Sequence, residues 1–83
     1  QNGEVLLLQP CNSIHCYGMR RKIDVAFIAA DGRVLKSLRA LRPGQTSSQQ
    51  GAWACLERYA SSEAWVEVGE CMEINLVKKG EGK

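Results

Sequence analysis

The sequence predicts a mainly β domain, a small barrel or sandwich of about five to six strands with one short helix. Three observations lead there. Short apolar runs, several with period-two alternation, recur around Val5–Leu8, Ile23–Ala30, Val34–Leu38 and Cys71–Val77. Gly and Pro punctuate the gaps between them, at Pro10, Gly32, Pro43, Gly44, Gly51 and Gly69. A helix-compatible stretch appears over Ala60–Trp65 and is long enough for one or two turns.

Each element follows from its residues. Glu4–Gln9 is a short strand whose Val-Leu-Leu-Leu run suggests burial on both faces, and Pro10 ends it by withholding a ladder donor. Residues 11–16 form a polar loop or irregular edge segment. Ile23–Ala30 is a core strand in which Ile23, Val25, Phe27 and Ala29 alternate with Asp24, Ala26 and Ile28. Asp31-Gly32 suits a type I′ turn, and Arg33–Ala40 returns as the partner strand of a hairpin. Residues 42–51 carry one proline, two glycines and polar residues without periodicity, the composition of a long functional or mobile loop.

Ala52–Glu57 resumes as a strand carrying Trp53 and Cys55. In the helix that follows, Ser61 or Ser62 is placed to accept from free amides at its start. Val68-Gly69-Glu70 turns the chain into a last strand, Cys71–Val77. Residues 1–77 are thus expected to form a single β-rich domain. The 78–83 tail lacks an apolar anchor and is expected to be disordered.

Eighty-three residues with a 45% hydrophobic share support one domain with a thin stability surplus, because ordering costs roughly 1.5 kcal/mol per residue. Oligomerisation, a metal or disulfides would each relieve that. No apolar run approaches the span of a membrane. No export signal is visible either, which points to the cytoplasm, although the start at Gln1 leaves room for a removed leader. The net charge of +2 divides unevenly: residues 1–42 hold seven Lys/Arg against three acids, and residues 43–83 hold four against six. That asymmetry favours association of opposite faces or copies. A pI of about 8.5 and few aromatics among the basic residues argue against nucleic acid as a partner.

The run Pro10-Cys11-Asn12-Ser13-Ile14-His15, Gly18-Met19-Arg20, Ile23-Asp24-Val25-Ala26-Phe27-Ile28 and Asp31-Gly32-Arg33-Val34-Leu35 resembles the short branch of domain-of-unknown-function family 192. Leu56-Glu57 and Val68-Gly69-Glu70 are similar to that family's ending, so the resemblance spans about residues 4–76. It implies a mostly bacterial or archaeal origin and a compact, mainly β fold with one short helix; it implies no established activity. Members usually carry a further segment before the position of Gly3-Glu4. Its absence here would leave a sheet edge uncovered, and a homodimer through that edge is expected.

The chemistry concentrates in the same block. Cys11, His15 and Cys16, with Cys55 or Cys71 as a fourth, are the thiolate and imidazole types that hold zinc, but no Cys-x-x-Cys pair supports a metal site. Cys55 and Cys71 read as small core residues. Four cysteines allow three disulfide pairings if the compartment is oxidising. A cysteine with His15 as base would suit thiol chemistry. In an extended chain, however, His15 and Cys16 point to opposite faces while Ser13 and His15 share one.

Asp24 is costly to bury alone, and Arg20, Arg21 or a backbone amide is its expected partner. Trp53 and Trp65 are expected in the core rather than on a sugar or peptide platform. The favoured function is therefore non-enzymatic binding of a small ligand or protein segment. Its candidate residues are Cys11, Ser13, His15, Tyr17, Met19, Arg20 and Asp24, with the 42–51 loop alongside. No cofactor is implied. The alternative is a small enzyme using Ser13, His15 or a cysteine of the Cys11–Cys16 block.

Overall fold

A computed structural model describes residues 4–15 and 20–73 of the chain. Among these residues six strands form: β1 (Leu6–Leu8), β2 (Ser13–His15), β3 (Ile23–Ile28), β4 (Val34–Leu41), β5 (Thr46–Ser48) and β6 (Ala54–Tyr59). They make a four-stranded sheet in the order β1-β6-β3-β4 and a two-stranded ribbon of β2 and β5, with all pairings antiparallel. Among the described residues the four-stranded sheet runs from β1 to β4 and does not close into a barrel, so the arrangement is sandwich-like.

β3 occupies the middle, paired with β4 on one side and β6 on the other. Its alternation is real, but both faces are covered, and all six of its residues are buried. Ile23, Val25 and Phe27 project to one face, where Ile14 of the ribbon and Cys55 of β6 join them and Cys11, Leu38, Leu41 and Ala52 pack around. Full burial of such side chains stabilises by about 1.5–3 kcal/mol each. Lys36 ties the ribbon down, donating to Ser47 Oγ at 3.2 Å and to the Ser48 carbonyl at 2.9 Å.

The opposite face is covered by an irregular strap over residues 60–67. Ser37 Oγ donates to the Val66 carbonyl at 2.7 Å, Arg39 Nη2 to Ser61 O at 2.7 Å, and Arg58 Nη2 to Glu63 O at 2.8 Å. Trp65 Nε1 reaches the Val25 carbonyl at 3.3 Å. These bonds explain why the predicted helix over Ala60–Trp65 is absent: no helix forms among the described residues. The carbonyls a helix would use are taken by side chains of β4 and β6. Ser61 Oγ accepts from the Glu63 amide at 2.9 Å, a local turn in place of a helix start. Trp53 and Trp65 are both partly buried.

Three further expectations are corrected. The leucine strand is not buried on both faces: Leu6 is 55% and Leu8 37% exposed, because β1 lies at the sheet edge beyond the ribbon. The hairpin after β3 is not a type I′ turn, since Asp31 does not have a positive φ. Instead the Gly32 amide donates to Ala29 O and the Ala29 amide to Arg33 O, both at 2.9 Å. That is a three-residue loop ending in a left-handed glycine, with φ 93° at Gly32. Finally, residues 42–51 are not simply a loop. Turns closed by Gln45 N to Arg42 O and by Ala52 N to Gln49 O bracket β5, which pairs with β2.

Residues 69–72 run beside the start of β4, through Val34 N to Glu70 O at 2.8 Å, Met72 N to Gly32 O at 2.7 Å and a bridge between Arg33 and Cys71. Of the expected last strand over Cys71–Val77, the described part shows only this isolated bridge at Cys71, and Met72 and Glu73 are not in a strand; residues 74–77 and the 78–83 tail lie outside the described residues. No described helix is long and apolar enough to cross a membrane.

Candidate binding face and its surroundings

The ribbon positions Ser13 and His15. Ile14 is buried toward Phe27, so its neighbours in β2 must point outward, and both are exposed. Antiparallel register then sets Ser13 opposite Ser48 and His15 opposite Thr46, whose side chains share the outward face. The result is one exposed surface carrying three hydroxyls and an imidazole. Ser13 Oγ and His15 Nε2 lie 3.5 Å apart, the same-face contact expected from alternation. That separation exceeds the about 2.6–3.2 Å of a closed nucleophile–base bond, a distance that free proteins often reach only with substrate in place.

Asp24 sits on the other side of the sheet and serves the fold. It is 1% exposed, accepts from Arg58 Nε at 2.9 Å, and has Arg39 Nε at 3.5 Å. Its Oδ1 also accepts from the Ala40 amide at 2.8 Å. The pairing register shifts here, since Ile23 faces Leu41 while Val25 faces Leu38, leaving Arg39 and Ala40 opposite the single residue Asp24. This is a β-bulge, with Ala40 at φ 58°, and the carboxylate fills the gap in the ladder. The expected backbone role of Asp24 is present. Its cationic partners are Arg58 and Arg39 instead of Arg20 or Arg21, because strand pairing brings β6 and β4 alongside. Arg58 also stacks over Trp65, 4.5 Å from the ring centre.

Cys11 lies at the foot of the ribbon, where its amide donates to Trp53 O at 3.0 Å. Its thiol donates to Ser13 O at 3.3 Å and meets the Cys55 thiol, Sγ to Sγ, at 2.8 Å. Burial pushes the Cys55 thiol far above its ordinary value, and the neighbouring Cys11 and Glu57 push it the same way. Glu57, two residues along the same face of β6, is also raised by burial. Cys71 is exposed and far along the chain from this pair. Among the described residues no cluster of three His, Cys, Asp or Glu side chains could hold a metal ion.

Of the seven candidate residues, the structure thus groups Cys11, Ser13 and His15 on one segment and sets Asp24 across the sheet. Arg20 is exposed, and Tyr17 and Met19 lie outside the described residues, as does Cys16.

Sequence reasoning missed a groove of about 650 Å³ between the end of β6 and the strap, lined by Arg21, Arg58, Tyr59, Ser61 and Glu63. Arg21 stacks on the Tyr59 ring at 3.9 Å. The adjacent basic pair was visible in sequence; its aromatic platform, 38 residues downstream, was not. Comparison with protein-family models, with curated proteins and with solved structures finds no match.

Proposed function

We propose that the domain is a non-enzymatic binding module whose contact surface is the outward face of the β2–β5 ribbon. The observation that carries this reading is the convergence of Ser13, His15, Thr46 and Ser48 on one exposed face through the register of two short strands. Hydroxyls and an imidazole supply donors and acceptors without a fixed charge, which suits a polar ligand or an extended protein segment. Each ribbon strand has one partner among the described residues, so an incoming segment has a strand edge to add to. The resemblance of Pro10–Leu35 to domain-of-unknown-function family 192 accompanies this reading, since that block supplies the ribbon's first strand and the β3 hairpin.

The enzyme alternative is weaker on chemical grounds. A carboxylate can join such chemistry only where it keeps an oxygen free. Asp24, the buried carboxylate, has both oxygens committed to Arg58, Arg39 and the Ala40 amide.

A second reading has its own observation. The groove beside Arg21 and Tyr59 falls within the size range of small-molecule sites and offers a guanidinium over an aromatic platform, suiting a small anion. Self-association along β1 completes the proposal: among the described residues β1 ends the sheet, and Leu6 and neighbouring Val5 are about half exposed.

Amide NMR titration separates these readings. Extended Ser/Thr-rich peptides should shift Ser13, His15, Thr46 and Ser48, and His15→Ala should abolish that response while leaving the remaining spectrum intact. Phosphate or a dicarboxylate shifting Arg21 and Tyr59 alone would transfer the function to the groove. Turnover of an ester or thioester lost on His15→Ala would replace binding by catalysis. Light scattering that finds a monomer at high micromolar concentration would remove self-association.

A further inference from the structure

Three features outside the ribbon face carry unassigned chemistry: the Arg21–Tyr59 groove, the exposed leucines of β1, and the paired thiols of Cys11 and Cys55. The thiols carry the argument furthest. They are separated by 44 residues of chain, yet the fold brings Sγ to within 2.8 Å of Sγ. Two independent restraints hold them there. The Cys11 amide is bonded to Trp53 O, two residues before Cys55, and the Cys55 thiol also lies 3.4 Å from the Cys11 carbonyl. Cys55 is fully buried in β6, and Cys11 sits at the protein surface, on a shallow cavity of about 270 Å³ lined by Pro10, Cys11, Asn12 and Ala52. One thiol is therefore reachable from solvent and the other is not.

We propose that Cys11 and Cys55 form a reversible redox pair, closing to an intramolecular disulfide that locks the foot of the ribbon onto β6. A low-molecular-weight disulfide of the glutathione class is the oxidant. The Cys11 thiolate, formed by loss of its proton to solvent, attacks one sulfur of that disulfide. The S–S bond of the oxidant breaks, one small thiolate leaves, and a mixed disulfide remains on Cys11. Cys55 then loses its proton and attacks Cys11 Sγ, expelling the second small thiolate. Two protein thiols are oxidised and one small disulfide is reduced to two thiols. The order of attack follows from access: Cys11 faces the cavity and Cys55 faces Cys11. Burial and the neighbouring thiol hold Cys55 protonated, which keeps it inert until the mixed disulfide stands beside it. The step goes beyond ligand binding and stands whether or not the ribbon face binds anything.

The closed form should change stability in a defined way. A cross-link over a loop of this length restricts the unfolded chain strongly, so oxidation should raise Tm by on the order of 10 °C. The test equilibrates the full chain with reduced and oxidised glutathione, traps free thiols by alkylation, and maps peptides by mass spectrometry under non-reducing conditions. The expected result is a peptide linking Cys11 to Cys55, lighter by two hydrogen atoms, with Cys71 alkylated throughout. Cys11→Ser should abolish both the linkage and the Tm rise, and Cys71→Ser should change neither. Cys55→Ala, which removes the buried sulfur with little change of volume, should leave glutathione attached to Cys11 as a stable mixed disulfide. Linkage through any other cysteine would overturn the proposal. So would alkylation of both Cys11 and Cys55 after oxidation, or glutathione on Cys71 with none on Cys11 in the Cys55→Ala variant.

Discussion

Replacing Asp24 tests the centre of the fold, because one carboxylate serves a bulge, a strap and a sheet together. Asp24→Ala removes the acceptor of the Ala40 amide and leaves Arg58, itself about 10% exposed, without its anion. Breaking a buried pair from one side costs about 3–5 kcal/mol. The Arg39 contact adds under about 1 kcal/mol, since that side chain is half exposed and 3.5 Å away. A domain of this size has a total of about 4–12 kcal/mol, so Asp24→Ala takes about half of it. Asp24→Asn is the gentler probe: it keeps an oxygen for the Ala40 amide but loses the charge and turns its amide NH2 toward Arg58 Nε, at about 2 kcal/mol or more. Urea titration followed by the fluorescence of Trp53 and Trp65 reads the difference. With a slope of about 1–1.5 kcal/mol per molar, the midpoint should fall by roughly 1.3–2 M. Asp24→Asn combined with Arg58→Met should be milder than the sum of the singles by about 1–3 kcal/mol. An Asp24→Asn midpoint within about 0.3 M of the parent, or strict additivity in the double variant, would refute the account.

Other substitutions follow from single contacts. Ala40→Gly should raise Tm by several degrees, because a left-handed residue with a Cβ costs roughly 1–2 kcal/mol and glycine does not carry that cost. Gly32→Ala should lower stability by about 2 kcal/mol or more in urea titration, since a Cβ there meets the Met72 carbonyl and the φ is left-handed. Lys36→Met should cost about 1–2 kcal/mol and speed hydrogen exchange at the amides of Thr46–Ser48, as two bonds to β5 are lost. Glu57 bears on pH. Its folded carboxyl titrates above the ordinary 4.5, so the folded state binds more protons in that window and stability falls as pH rises through it. Glu57→Gln should therefore melt higher than the parent at pH 7, with the gap closing by pH 4.

β3 was legible because four of its six residues are β-branched or aromatic, which announces a buried strand whatever covers it. The turn after it was legible as a turn but not as a type. Asp31-Gly32 suits two different loops, and the choice rests on whether Ala29 pairs with Arg33, a fact of register. The Ser13–His15 contact followed from alternation alone. β5 did not show itself, since Thr46, Ser47 and Ser48 contain no apolar residue; what defines it is the pair of turns on either side and the strand it meets. Composition over residues 60–65 favours a helix, and it yields to arginines of β4 and β6 that claim the carbonyls. The partners of Asp24 were hidden for a similar reason. Arg58 lies 34 residues away in sequence, and only the β3–β6 pairing makes them neighbours.

The register of β1 against β6 sets a timetable for synthesis. Leu7 pairs with Leu56, so β1 has no β6 partner until Leu56 has been made. At about 5–20 residues per second, a ribosome leaves Leu6–Leu8 waiting for roughly 2–10 s. The β3–β4 hairpin needs no such delay and can close while β1 still waits. A nascent chain halted before Cys55 should therefore present three adjacent leucines to whatever chaperone stands nearby, and one extended past Tyr59 should not.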